Sequence, residues 1–580
     1  MAGGGLDYEI RRAQRKKTIA ATASAIFLVL LVMGTIAFIV TQAGDEAKVS
    51  TNDMHSSSKS VHMLCSSTDY PSTCVSTLTK ALKSKYNDSS SIEDPKDLLY
   101  AALRVAKNEV VLVQAFNHSQ VFKSKDSRIH ASVEDCMHLF DECRYNIERS
   151  MNRSIEFGNN WSNDLETWGS AVISFQQSCT DSFPEGETRE KMKMLMKTAK
   201  EVASNAVAII GQVAGLLTLL GDQEYSDRHQ LLENAKGLPV WLSESERRSI
   251  LGDYESKLRP NVTVAKDGTG NFTTISAALA AIPEKYNGRY VIYVKEGVYE
   301  ETVNLQKRMV NVTMYGDGSS KTIISGSKNV VDGTRMWLIA TVSVSGDGFI
   351  GIGLGFHNTA GPEKHQAVAL RVMADKTIFL SCCMEGYQGT LHAQAYRQFY
   401  RYCVIKGTVH LVFGDAAAVF QQCIFLIRRP LPSQSTILTA QARSDGQQTT
   451  GFVIHRCKIL PDPSLHSDNT NYSWNNYLGQ PWKKFSRLVI MESHIGGIVH
   501  PEGYTPSEGA KDEKQSTLYY AEYGNIGGGS NLSKRVKWPG FHAIGPKEAK
   551  RYTVGRFLHG SSWIQAIGVP VKLGLYRHVA

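Results

Sequence analysis

The sequence predicts a multidomain chain: an N-terminal transmembrane anchor, an all-α four-helix bundle, then an all-β parallel β-helix. Three observations predict it. A basic cluster at the N-terminus precedes an uncharged apolar run, and the next portion carries apolar residues at spacings of three and four. From residue 261 onward, short β-rich runs alternate with Gly, Asn and Asp turns, with a repeat of about 20 residues in the middle. At 580 residues the chain also exceeds one ordinary core.

Residues 1–17 hold Arg11, Arg12, Arg15, Lys16 and Lys17 and read as a cytoplasmic basic segment. The stretch 18–42 is rich in Ile, Leu, Val and Ala and is long enough to span a bilayer, so it reads as a signal anchor. A cleaved signal peptide is the competing reading, although the apolar run is long for one. Residues 43–59 are small, polar and charged, a stalk. Placement of the remainder in the secretory lumen agrees with nine N-x-S/T sequons, at Asn87, Asn117, Asn152, Asn160, Asn261, Asn271, Asn311, Asn471 and Asn531. It agrees also with ten cysteines, which suit an oxidising compartment. The net charge of +9 permits nucleic acid, anionic lipid or an acidic polysaccharide as partner. No zinc-finger spacing or basic-aromatic run favours nucleic acid, and none is expected as a partner. Without a C-x-x-C pair or Cys/His cluster, neither a metal nor a cofactor is expected.

Residues 60–222 form the predicted bundle. Segments Asp94–Phe116 and Glu190–Leu220 are patterned as amphipathic helices. Cys65 and Cys74 are close enough to staple a small hairpin, and Cys136 and Cys179 can join two helices, leaving Cys143 unpaired. Residues 223–260 are a linker in which Arg247 and Arg248 offer a protease a dibasic site.

Residues 261–580 form the predicted β-helix. Cys383, Cys403 and Cys423 recur at the repeat length, as do Phe379, Phe399 and Phe420. Coils stacked at ~4.8 Å lie within the ~4.4–6.8 Å Cα range of a disulfide, so Cys403 and Cys423 are predicted to bond. A free-thiol ladder is the alternative. Gln366, Gln388 and His410 are each 22 residues apart, and Gly389 lies 21 before His410. These four positions should stand above one another as a stripe on one face.

Several segments carry a resemblance. C-S-S-T-D-Y-P-S-T-C (65–74), V-E-D-C (133–136) and D-L-E-T-W-G-S-A-V-I-S-F-Q-Q-S-C-T-D-S-F (164–183) resemble the invertase and pectinesterase inhibitor domain. That resemblance implies a four-helix bundle with two disulfides in this order. V-T-V-A-K-D-G-T-G-N-F-T-T-I (262–275), N-T-A-G-P-E-K-H-Q-A-V-A-L-R (358–371), G-Y-Q-G-T-L (386–391), G-T-V-H-L-V-F-G-D-A-A (407–417), Y-L-G-Q-P-W (477–482) and F-L-H-G-S-S-W-I (557–564) resemble plant pectinesterases, in family order. This second resemblance implies a right-handed parallel β-helix and hydrolysis of methyl esters on homogalacturonan. It also makes Arg247–Arg248 similar to the family's processing motif between pro-region and enzyme.

The family's chemistry, as the resemblance implies it, needs one ionised aspartate as nucleophile and a second aspartate as general acid, then base. An arginine orients the nucleophile, and glutamines stabilise the oxyanion. This chain departs at each reacting position. The acid/base position is Gly389, the nucleophile position is His410, and the orienting arginine is Gln480. Met336 and His392 replace a further threonine and an aromatic residue. Gln366, Gln388, Phe413 and Trp482 are retained: oxyanion stabilisers and a sugar-stacking surface without the reacting groups. Asp415 and Asp445 are the acidic residues from which a site could be rebuilt. The expectation is a homogalacturonan-binding pseudoenzyme of the carboxylic ester hydrolase class, made as a membrane-anchored precursor and processed into the extracellular cell wall. The alternatives are an active pectin methylesterase with a rebuilt site, and an inhibitor-like domain that regulates other pectinesterases. A lyase-type β-helix would want a calcium-binding carboxylate cluster, which the sequence does not offer.

Overall fold

The computed structural model describes residues 60–85, 95–117, 126–156, 161–220, 258–466, 474–507 and 513–576. The predicted anchor and stalk, the dibasic pair Arg247–Arg248, and Asn87, Asn160 and Asn471 lie outside the described residues. Among the described residues, no helix is long and apolar enough to cross a membrane.

The helical part comprises α1 (Pro71–Lys85), α2 (Pro95–Asn117), α3 (Ser127–Glu156), α4 (Trp161–Ser182), α5 (Glu187–Leu195) and α6 (Lys197–Leu220). Proline opens α1 and α2, where its missing N–H costs nothing. The Asp126 carboxylate accepts the Arg128 N–H at 2.9 Å and caps the start of α3. α2, α3, α4 and α6 pack around a core containing Phe140, Phe175 and Ile210. The single helix expected over Glu190–Leu220 is instead two, divided at Met196. There the amide is shared between the Met192 and Met194 carbonyls while both Met192 and Met196 stay fully buried. Disulfides join Cys65 to Cys74 and Cys136 to Cys179, with Cα separations of 5.6 and 4.7 Å, and Cys143 is a buried free thiol.

The remaining strands wind into a solenoid in which every strand pair is parallel. Among the described residues its three long faces have eleven, eight and six strands. The aromatic core stack runs Phe379, Tyr400, Phe420, with ring centroids 5.1 and 4.7 Å apart. Phe399 therefore does not belong to the row assigned from its spacing. It pairs with Ile378 and Val419 and packs on the other side of the sheet, because this pair of coils differs by one residue in length.

The same slip corrects the cysteine ladder. Its members are Cys382, Cys403, Cys423 and Cys457, while Cys383 faces outward. The expected Cys403–Cys423 disulfide is absent, and all the ladder thiols are free. Each donates to a carbonyl of the preceding coil, Cys403 to Phe379 at 3.4 Å, Cys423 to Tyr400 at 3.5 Å and Cys457 to Phe420 at 3.2 Å. In-register side chains at the ~4.8 Å coil spacing also exceed the ~3.8 Å mean Cβ separation of a disulfide. Burial holds the thiols of Cys382, Cys403 and Cys423 well above their ordinary pKa. Alkylation of the denatured, unreduced chain is expected to label six cysteines, and a Cys403–Cys423 cross-linked peptide would refute the ladder.

From strand Ile350–Ile352 onward, each coil turns from the eleven-stranded to the eight-stranded face through one left-handed residue. Successive coils use Gly353, Ser381, Tyr402, Gln422, Arg456, Glu492 and Gly524, with φ between 50° and 60°. Five of these are not glycine, and each costs roughly 1–2 kcal/mol in isolation. The stacked ladders on either side of the bend over-determine it.

Candidate active site

Strands Cys383–Glu385 and Val404–Gly407 of the eight-stranded face feed strands Leu391–Ala395 and Val412–Gly414 of the six-stranded face. The turns between them hold Gln388, Gly389 and His410. Gln366 and Gln388 are paired through a backbone bridge, with Ala367 N–H donating to the Gln388 carbonyl at 3.1 Å. The Gly389 N–H donates to the Val409 carbonyl at 2.9 Å and Leu391 pairs with Val412, so Gly389 stands beside His410. The stripe inferred from spacing is thus in one place, with Gly389 rather than Gln388 opposite His410.

The His410 backbone is left-handed, at φ 50°. Its Nε2 lies 2.8 Å from Gln480 Oε1, and Gln480 Nε2 donates to the Pro506 carbonyl at 3.0 Å. Burial pushes the His410 pKa below the usual imidazole value, partly opposed by the Gln480 contact, so the ring is neutral at pH 7. Three further rings extend the surface. Trp482 lies 6.3 Å from His410 and 5.7 Å from Phe413, and Phe413 is stacked on His392 at 4.2 Å. Trp482 is 38% exposed, while Phe413 is buried against Met336, Ile339 and Val368. Burial holds His392 down to about 3, so it serves as a neutral aromatic plate. Gly389 contributes no side chain, and a Cβ there would lie 3.3 Å from the Phe413 ring.

No carboxylate is hydrogen-bonded to Gln388, His410 or Gln480 among the described residues. Asp415 is buried and accepts from Gln441, Gln448 and Thr450, with burial raising its pKa to about 6. Asp445 accepts from Ser204 and from the Gln447 N–H. Both acids proposed for a rebuilt site are therefore committed to other partners. The Gln388 side-chain oxygen is buried without a hydrogen-bond partner, so no amide ladder ties it to Gln366.

The bundle is seated on the solenoid beside this groove. Arg335, next to Met336, pairs with Glu134 of α3 at 2.7 Å, and Lys483, next to Trp482, pairs with Asp181 of α4 at 2.8 Å. Trp337 lies between Arg371 of the solenoid and the parallel ring of His138 in α3. Where the six-stranded face turns into the eleven-stranded face, Arg397 bridges Asp375 of the solenoid and Asp164 of α4, both at 2.6 Å and all nearly inaccessible. Arg149 of α3 pairs with Asp347 at 2.8 Å and lies over the Trp168 ring at 4.1 Å. Sequence reasoning missed this network. Its only local signal was charge inside otherwise apolar strands such as R-Q-F-Y-R (397–401).

A parallel β-helix with a groove of amides and stacked rings, joined to a disulfide-bonded helical bundle, defines the class as a two-domain β-helix protein. Comparison with known proteins gives the family. The pectinesterase family description matches residues 261–561, and that of the plant invertase/pectin methylesterase inhibitor matches residues 59–209. An Arabidopsis thaliana chain described as a pectinesterase/pectinesterase inhibitor is 43% identical over 522 residues, covering 89% of this chain and 82% of the relative. Pectinesterase 3 of Citrus sinensis is 38% identical over 526 residues, covering 88% of each. The structure of a pectin methylesterase from carrot, 44% identical, superposes with a TM-score of 0.53 over 55% of this chain and 99% of its own. The protein belongs to the pectinesterase family and carries an inhibitor-type domain ahead of its β-helix.

Proposed function

We propose that this chain binds homogalacturonan in the cell wall and that its methyl-ester hydrolysis is abolished or severely impaired. One observation carries the reading: the position facing His410 is a glycine, so the reacting pair of side chains is missing. Hydrolysis would need a nucleophile and a proton donor for the departing methanol. His410 is tied to a neutral amide, and no carboxylate orients it. The exposed Trp482 ring, backed by the buried rings of Phe413 and His392, remains to stack on sugar, and the +9 net charge favours a polyanionic chain. Family membership supports secretion to the wall, and the exposed sequons Asn152, Asn261, Asn271, Asn311 and Asn531 are proposed as glycosylation sites.

The full chain is expected to be retained on immobilised homogalacturonan and released by salt. Trp482→Ala should weaken retention by about tenfold, the equivalent of ~1.4 kcal/mol of aromatic contact. Passage without salt-sensitive retention would refute the binding reading. The alternative, a rebuilt esterase, requires methanol release that His410→Ala abolishes. Inhibition of other pectinesterases by the bundle is disfavoured, because α3 and α4 already face their own solenoid.

A further inference from the structure

We propose that His357, Cys383 and Glu385 form a binding site for a zinc-class divalent metal on the outer surface of the eight-stranded face. The coil register assembles it. Strand Gly355–Asn358 pairs with Cys383–Glu385, which sets His357 opposite Glu385 and Gly355 opposite Cys383. Met384 and Phe356 point into the core, so His357, Cys383 and Glu385 all face outward. Their ligand atoms lie within 4.8 Å of one another. Nothing in the linear sequence gives C-x-x-C or H-x-x-H spacing; only the winding of one coil on the next brings them together.

Two features favour a metal over a chance cluster. His357 Nε2 is inaccessible and has no hydrogen-bond partner, an orphaned donor or acceptor on the side of the thiol. Cys383 makes none of the Sγ-to-carbonyl hydrogen bonds that occupy Cys382, Cys403, Cys423 and Cys457. Imidazole, thiolate and carboxylate are a soft-to-borderline donor set of the kind zinc takes in tetrahedral sites, with water as a fourth ligand. Glu385 already bonds Lys406 through Oε2 at 2.9 Å. Its Oε1, 3.7 Å from Arg428, can turn to the metal while Lys406 orients the carboxylate from behind. The nearby cations weaken the site, and the buried thiol must release its proton to the solvent as the metal binds.

The site is independent of the catalytic reading. It is tested by adding Co²⁺ to the full chain with its two disulfides intact and recording its absorption spectrum. The expected result is a thiolate-to-cobalt charge-transfer band in the near ultraviolet, with intense visible bands of tetrahedral coordination, both removed by Zn²⁺. Cys383→Ser should abolish the charge-transfer band and His357→Ala should weaken it, while Cys143→Ser should leave it unchanged. Zn²⁺ should also raise the melting temperature of the native chain but not of His357→Ala, a readout that survives if the cysteine variant does not fold. Absence of the band in the native chain, or its persistence in folded Cys383→Ser, would overturn the proposal.

Discussion

The triple variant Gly389→Asp, His410→Asp, Gln480→Arg is expected to release methanol from methyl-esterified homogalacturonan about 10²–10⁴ times faster than the native chain. That is the range a positioned acid–base group contributes. Positions 410 and 480 are already in side-chain contact at 2.8 Å, the relation a nucleophilic carboxylate and its orienting guanidinium need. Two carboxylates on neighbouring coils would then repel, separating their pKa values into nucleophile and acid. Aspartate at 389 must adopt φ 75°, which aspartate tolerates better than most residues, at a cost of ~1 kcal/mol. The Phe413 ring, 3.3 Å from the new Cβ, must yield by a few tenths of an ångström. Because the three groups act as one unit, each single substitution should recover almost nothing. Initial rates of methanol release for the three singles and the triple decide the point.

Arg397→Met is expected to destabilise the folded chain by about 3–5 kcal/mol, the usual cost of stranding one side of a buried ion pair. It strands two carboxylates at once, Asp375 of the solenoid and Asp164 of the bundle. Chemical denaturation at pH 7 measures the loss, and a change under 1 kcal/mol would contradict the network's structural role. There is a pH consequence. Burial opposes the charged form of Asp375, but the Arg397 guanidinium overcomes it and holds the carboxyl well below its ordinary value of 3.8. A depressed carboxyl contributes stability that is fully present above the unfolded value and is lost as pH falls below it. The native chain should therefore weaken below about pH 4, and Arg397→Met should lose this part of the acid dependence.

Much of this was legible in the sequence. Apolar spacing located the bundle, and turn-punctuated β runs with a repeat near 20 located the solenoid. The 22-residue step from Gln366 to Gln388 and the 21-residue step from Gly389 to His410 placed the groove, because a coil's length fixes which side chains stack, whereas the 22-residue step from Gln388 to His410 is one residue out of register. The errors of register share one physical origin. Side chains alternate between faces along a strand, so a one-residue difference between coils moves a residue from core to surface. Cys383 and Phe399 recur at the repeat length, yet Cys382 and Tyr400 occupy the inward rows. The left-handed bends at Ser381, Tyr402 and Gln422 carry no glycine to announce them. The seat of the bundle was also illegible, since Asp164, Asp375 and Arg397 come together only through tertiary packing.

Methanol release by the unmodified full chain, acting on highly methylated homogalacturonan, bears most directly on the loss of the reacting pair. A rate indistinguishable from substrate alone, with the polysaccharide still bound, is predicted. A rate well above that background, eliminated by His410→Ala, would contradict it.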